Sequence, residues 1–302
     1  MDIVLIHLLN ALLYASVLFL IAGGLSLIYG VMRIVNLAHG NLYAFGAYVS
    51  AWAVGRVTTL VVGEGAAATG TPSTALLLLV LPAGAVAAAV VGAVLEPTLL
   101  RPFYKRAEEY QLLVTFGLLM IIDDVIRFVW GPYPLSASAL FENFGSVTVG
   151  EAIYPTYNFL VIAVGGLAAL FLWAFIYKTR FGVVLRATSQ DMRMSAALGV
   201  NVNRVYVQAF TLGCLMAGLG GAIIVPSQSA VLGMGVDALI LSFIVVVVGG
   251  LGSLEGALLG ALIVGVVREA GIAWFPEIEL AVLYLIAALV LLVRPAGLFG
   301  RA

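Results

Sequence analysis

Apolar residues run almost unbroken through nine stretches of the chain, near residues 5–30, 42–62, 74–100, 110–130, 158–177, 205–226, 238–251, 254–272 and 279–293. A helix needs roughly 20 apolar residues to cross the hydrocarbon core of a bilayer. The pattern therefore predicts an all-α, polytopic transmembrane helical bundle of about 8–10 spans, with residues 1–302 as a single transmembrane domain. The start Met1-Asp2-Ile3 has no cationic segment, and no Ala-x-Ala pattern interrupts the first run, so that run reads as an uncleaved span. Gly23, Gly24, Gly30, Gly249, Gly250 and Gly252 break otherwise continuous runs, as short or glycine-broken segments do where transporters build sites at membrane depth.

The polar positions between the runs set the orientation, because Lys and Arg in short loops stay on the cytoplasmic side. Segment 178–204 carries Lys178, Arg180, Arg186, Arg193 and Arg204, segment 101–109 carries Arg101, Lys105 and Arg106, and the C-terminus carries Arg294 and Arg301. The alternate loops 63–73, 132–157, 227–237 and 273–278 contain neither Lys nor Arg. Nine spans with this alternation put the N-terminus outside and the C-terminus in the cytoplasm. The long loop 132–157, with Pro132, Pro134, Glu142, Glu151 and Pro155, is then external, either a docking surface or a plain connection. Within the basic segment, a helix begun after Gly182 and ended near Gly199 would align Val184, Ala187, Asp191, Met194 and Leu198 on one face. Arg186, Ser189, Gln190 and Arg193 fall on the other. The small residues along it favour a groove of a partner protein over a membrane surface.

Composition narrows the classes. Of 302 residues, 63% are hydrophobic and 10% charged, against roughly 25% charged in an average soluble domain, which excludes a water-soluble fold. A net charge of −1 gives nucleic acid nothing to bind. Cys214 stands alone, without a partner for a disulfide or a thiolate metal site. The two lysines, Lys105 and Lys178, each follow a tyrosine, so no phosphate-cradling P-loop exists and any ATP must be held by another subunit. With only His7 and His39 as imidazoles and no Gly-x-Ser-x-Gly turn, hydrolytic chemistry has no nucleophile and base, and the chain does not read as an enzyme.

Charges within the runs are candidates by default. Asp123 and Arg127 are spaced to pair on one helix, and Arg268 and Glu269 to pair with adjacent helices. The alternative makes Asp123, Asp124 or Glu269 a proton relay in a secondary transporter, and a passive channel is a further alternative. Arg33, Asn36, His39 and Asn41 form a polar cluster between two apolar runs, either lining a wet cavity or making an interfacial turn in which His39 caps a helix. Gly252, Gly256 and Gly260 repeat every fourth residue, a smooth face for helix packing, and Gly249-Gly250-Leu251-Gly252 is placed to break a helix beside a pathway.

At these residues the sequence resembles the LivH-type permeases of the branched-chain amino-acid ABC importers, the hydrophobic amino-acid uptake family. YGVMRIVNLAHGNLYAFGAY (Tyr29–Tyr48) looks like its first signature and VVVGGLGSLEGALLGALIVG (Val246–Gly265) like its second. RATSQDMRMSAALGVNVNRV (Arg186–Val205) resembles the cytoplasmic loop that engages the ATPase, and RPAGLFG (Arg294–Gly300) the usual ending. The resemblance implies a multi-pass permease of the bacterial inner membrane that moves branched-chain or other hydrophobic amino acids inward by alternating access. It further implies a second related permease, two cytoplasmic ATPase subunits that use ATP and Mg, and an external solute-binding protein. Asn36, His39, Asn41, Tyr43, Gly249, Gly250 and Gly252 are then the translocation-pathway residues, and Arg186, Asp191, Ala197 and Gly199 the ATPase-coupling residues; neither a cofactor nor a metal is expected on this chain. The sequence departs from the pattern at Asn41, where Glu is frequent, at Glu255, where proline is common, and at Ser195-Ala196-Ala197, where many ABC permease loops begin with an acid. Relatives that carry urea, amides or aromatic carboxylates are the alternative at Asn41.

Overall fold

The computed structural model describes residues 2–62, 72–150, 152–274, 276–294 and 296–299. Glu151, Arg301 and most of the 63–73 loop lie outside the described residues. Within them, every apolar run becomes helix. The elements are α1 (Asp2–Met32), α2 (His39–Val62), α3 (Thr74–Val80), α4 (Ala83–Leu95), α5 (Glu108–Trp130), α6 (Ser138–Phe144), α7 (Thr156–Lys178), α8 (Arg180–Gln190), α9 (Met192–Ala197), α10 (Val202–Ile224), α11 (Met234–Gly249), α12 (Leu254–Trp274) and α13 (Glu279–Val293). A short antiparallel hairpin, β1 (Ser146–Val149) and β2 (Ala152–Pro155), pairs Ser146 with Pro155 and Val149 with Ala152.

Six helical segments are long and apolar enough to cross a bilayer alone: Val4–Met32, Thr74–Phe103, Thr156–Lys178, Val202–Ile224, Leu254–Trp274 and Pro276–Val293. At 16 residues α11 is shorter, α2 carries His39, Asn41 and Arg56, and α5 carries Asp123, Asp124 and Arg127. These three runs are helical and packed in the bundle. The third run is not one regular helix. Pro82 opens α4 after α3, and beyond Leu95 the helix widens into a π-helical turn, Glu96–Leu100, before tightening into a 3-10 turn, Arg101–Phe103.

Helix α1 packs on α12, α10, α7 and α11, and α10 packs on α4 and α2, so α1 and α10 form the centre. Lipid tails are as apolar as leucine, so close approach and dispersion hold such helices together rather than water exclusion. Many of the 34 glycines serve this. At the α2–α10 crossing, a Cβ on Gly46 would lie 2.5 Å from the Gly218 carbonyl oxygen, so glycine sets how near the helices come. The apolar periphery faces outward: α13 exposes Leu280, Leu285, Leu289 and Leu292 and buries Leu283 and Ala287.

The basic segments gather at one end of the bundle. Tyr104 meets Tyr206, Tyr177 donates to Glu255, and Gly30 meets Gly252, joining 101–106, 178–204 and the α11–α12 turn. The 132–157 connection lies at the other end and is built structure rather than plain loop. Phe141 and Phe144 of α6 pack edge-on against Tyr157, Asn143 donates to the Pro72 carbonyl, and Leu135 and Ala230 exchange backbone hydrogen bonds.

Candidate functional site

The first glycine-rich polar segment folds inward. Helix α1 stops as Arg33 takes a left-handed conformation (φ 54°), the one positive-φ residue other than glycine among those described. Six residues later, His39 Nε2 donates to the carbonyl of Ile21 at 3.0 Å. Ile21 lies eleven residues before the end of α1, about 16 Å back along its axis at 1.5 Å per residue. The connection therefore turns back alongside α1, and α2 starts deep in the bundle rather than at an interface. His39 caps no helix end, and both His39 and Asn41 lie within α2 rather than between runs.

Asn36, His39 and Asn41 are all fully buried, and Tyr43 is 7% exposed. Asn36 Oδ1 accepts from Ala38 N at 3.2 Å, shaping the turn, and Asn41 Nδ2 donates to the Leu119 carbonyl of α5 at 2.6 Å. The single proton of the Thr115 hydroxyl on α5 is shared between the Leu112 carbonyl of its own helix at 3.1 Å and the Val35 carbonyl at 3.4 Å, so Asn41 makes the firm tie of the re-entrant segment to α5 and Thr115 a weaker second contact. Because a carbonyl can only accept, the His39 proton sits on Nε2, and Nδ1 of the neutral ring is a bare acceptor. Asn36 Nδ2, His39 Nδ1 and Asn41 Oδ1 are buried without a hydrogen-bond partner among the described residues. One neutral donor and two neutral acceptors are thus concentrated on ten residues of irregular backbone and first helical turn, where an unpaired polar group costs several kcal/mol in hydrocarbon. Asn41 Oδ1 points at the backbone of Gly235 in α11, so the cluster is closed here. Tyr43 packs its ring near Gly220 of α10.

Gly249, Gly250 and Gly252 lie elsewhere, at the end bearing the basic segments. Gly249 closes α11, and Gly250 (φ 109°) and Gly252 (φ 78°) form the turn into α12, conformations that β-carbon residues avoid. Gly252 meets Gly30, and Ser26 Oγ donates to the Ser253 carbonyl at 3.0 Å. Leu298 N and Phe299 N donate to the carbonyls of Val248 and Gly249 at 3.0 and 2.9 Å, so the C-terminal segment caps α11. Gly256 and Gly260 of α12 pack on Gly249, as the small-residue repeat predicts, whereas Gly252 lies before the helix and is exposed.

The basic inner segment is two helices, not one. Thr179 caps α8 by accepting from Gly182 N, so the helix begins before Gly182. Asp191 is extended (φ −145°), ends α8 and caps α9, its Oδ1 accepting from Met194 N at 2.9 Å. Asp191 therefore does not sit on an apolar stripe. The face turned to the bundle is Gly182, Leu185, Thr188 and Ser195, and the expected stripe is largely outside: Val184 is half-buried, and Ala187, Asp191, Met194 and Leu198 are exposed, with Leu198 at 78%; Val183 and Met192 beside it are exposed too. Arg186 lies over the Tyr177 ring at 4.9 Å, whereas Ala197 and Gly199 are exposed at the end of α9.

The family described as the permease component of the branched-chain amino acid transport system matches residues 7–293. The chain belongs to that family. This permease is 28% identical over 308 residues to the high-affinity branched-chain amino acid transport system permease protein LivH of Escherichia coli (strain K12), covering 97% of this chain and 94% of that one. It is 28% identical over 302 residues to BraD, the corresponding permease protein of Pseudomonas aeruginosa, covering 98% and 95%. The probable branched-chain amino acid transport permease protein LivH of Methanocaldococcus jannaschii is 27% identical over 268 residues, covering 85% and 78%. No solved structure matches it. The permease is a multi-pass membrane protein and a transport component rather than an enzyme.

Its remaining charges resolve individually. Asp123 and Arg127 form no ion pair with each other, correcting the i, i+4 expectation; Asp124 and Arg127 are exposed. Glu269 is buried and hydrogen-bonded to His7 Nδ1 at 2.9 Å and Asn10 Nδ2 at 3.1 Å, and Arg268 lies over the Tyr14 ring and 3.9 Å from Glu279, so both residues find their partners on adjacent helices as expected. Sequence reasoning missed Glu96. It is fully buried, 2.7 Å from Arg101 Nη2, and accepts from Tyr104 Oη at 2.5 Å. The Glu–Arg spacing of five was visible in the sequence, but it matches a π-helical turn rather than an α-helix, so α-helical spacing hid it.

Proposed function

We propose that the permease is one of a pair of permease subunits in an ATP-driven importer of the bacterial inner membrane, carrying branched-chain or other hydrophobic amino acids inward. The pair works with two cytoplasmic ATPase subunits that use ATP and Mg and with an external solute-binding protein. Its N-terminus is outside and its C-terminus cytoplasmic. The observation that carries this reading is the inner segment: a basic, two-helix unit fixed to the bundle through Leu185, Thr188 and Ser195 that leaves Met192, Met194 and Leu198 open at the end where the basic segments gather. A gradient-driven carrier or channel has no use for such a face; an ATPase does.

In this reading the ATPases close on ATP and push on α8 and α9, and the bundle alternates its opening. Asn36, His39 and Asn41 meet the solute when α2, α5 and α11 part, which supplies their unpaired donor and acceptors with partners. Tyr43 lies one turn further along α2, and Gly249, Gly250 and Gly252 form the turn that lets α11 and α12 shift against α1. Arg186, Asp191, Ala197 and Gly199 shape the ATPase contact. Co-purification from the native membrane in mild detergent tests the assembly, with ATP-dependent uptake by the reconstituted complex testing the solute. Recovery of ATPase and a second permease, with uptake of leucine, isoleucine or valine, is the expected result. A homo-oligomer without ATPase overturns it.

A further inference from the structure

A line of contacts runs from Met192 on the inner helices to Asn41 on the re-entrant segment through Tyr206, Tyr104, Glu96 and Gln111, which the proposed function does not otherwise use. Met192, the first residue of α9, accepts at Sδ from the hydroxyl of Tyr206 at 3.2 Å. The Tyr206 ring on α10 meets the Tyr104 ring edge-on at 5.5 Å between centroids. Tyr104 donates to buried Glu96, which Arg101 clamps, so a single clasp holds the π-helical end of the third span and the turn after it. That turn is tied to α5 by Gln111 Nε2, which donates to the carbonyls of Phe103 and Arg106 at 3.2 and 3.1 Å. From there α5 reaches the re-entrant segment through the Leu119 carbonyl, which accepts from Asn41, with the Thr115 hydroxyl a longer contact to the Val35 carbonyl.

We propose that the Glu96–Arg101–Tyr104 clasp is the positioning element that transmits movement of α9 to α5 and to the segment carrying Asn36, His39 and Asn41. The inference rests on the proposed ATPase-driven function. Its physical basis is stiffness. A fully buried carboxylate with two strong donors holds one geometry, because separating it from either leaves a charge or hydroxyl unpaired in a dry site. The 101–106 turn therefore moves with Tyr104 as a body rather than yielding. Burial, reinforced by the neighbouring carboxylate, pushes the Tyr104 phenol above its ordinary range, so it remains a donor throughout physiological pH. The junction between Tyr206 and Met192 is by contrast a single soft contact, suited to engage and release.

The test uses the assembled transporter in proteoliposomes with its ATPases and binding protein, comparing wild type with Tyr104→Phe, Tyr206→Phe and the double variant. Each change keeps the ring and removes one hydroxyl. The measurements are ATPase retained in the complex, ATP hydrolysed and solute carried per ATP. Both single variants are expected to retain the ATPase and hydrolyse ATP, while solute carried per ATP falls about fivefold or more. The double variant is expected to fall no further than the worse single one, as for two links of one line. Wild-type stoichiometry in both single variants, or multiplied effects in the double, overturns the proposal. If Tyr104→Phe does not assemble, Tyr206→Phe decides the matter alone. A wild-type chain that recovers no ATPase overturns the proposed function, and the relay with it, whereas an ATPase-bearing complex indifferent to both tyrosines overturns only the relay.

Discussion

Asp191 shows how a single residue changes meaning between sequence and structure. Read on one long helix it interrupts an apolar stripe, but it is the cap that starts α9. Asp191→Ala removes an N-cap acceptor, worth about 1 kcal/mol, and is expected to loosen residues 192–197 and lower ATP-coupled uptake while the membrane bundle stays folded. Asp191→Asn keeps the cap and is expected to transport as wild type; hydrogen exchange over α9 together with uptake distinguishes the two. Asn41 is the second such residue. Its amide donates to the Leu119 carbonyl at 2.6 Å, where a carboxylate has no proton to give. Asn41→Asp therefore buries a charge against a carbonyl oxygen and is expected to reduce folded protein sharply, read as the yield of monodisperse protein in detergent.

Elements meet here on backbone. The Gly46–Gly218 crossing of α2 and α10 leaves no room for a side chain, and Gly46→Val is expected to cost about 1–3 kcal/mol or more, seen as a lower melting temperature in detergent. Spacing of small residues in the sequence points to such faces, but which glycine meets which helix follows from the crossing geometry alone. At the α8–α9 element, Met194→Glu and Leu198→Glu place charge on the exposed apolar side. Loss of ATPase from the purified complex is expected, with an unchanged melting temperature of the permease. Equal retention of ATPase would remove this surface from the docking site.

On the scale of the whole molecule, the grouping of 101–106, 178–204 and the α11–α12 turn at one end, and of α6 with the hairpin at the other, leads to a labelling experiment. Cys214 is the sole cysteine and is buried at the α4–α10 crossing, where Cys214→Ala is a small apolar exchange. In that background, a cysteine at Gln190 is expected to react with an impermeant thiol reagent only in inverted vesicles, and one at Val147 only in intact cells. The reverse pattern would invert the molecule in the membrane.

Hydrophobic length and the placement of Lys and Arg are sums over neighbouring residues, so the sequence by itself determined that each run is helix, that the bundle is polytopic and where the basic segments fall. The absence of a P-loop and the amphipathic inner segment were equally local. Tertiary structure decided the rest, because it depends on residues distant in the chain. His39 lies deep only because the carbonyl of Ile21 on α1 receives it, and Glu96 is a clasp only because a π-helical turn brings Arg101 to it and Tyr104 folds back. The inner segment breaks at Asp191 because its side chain bonds Met194 N, while Leu185 and Thr188 rather than Val184 and Ala187 turn to the bundle. Periodicity identifies an apolar side of a helix; which side is buried is set by the surface it meets.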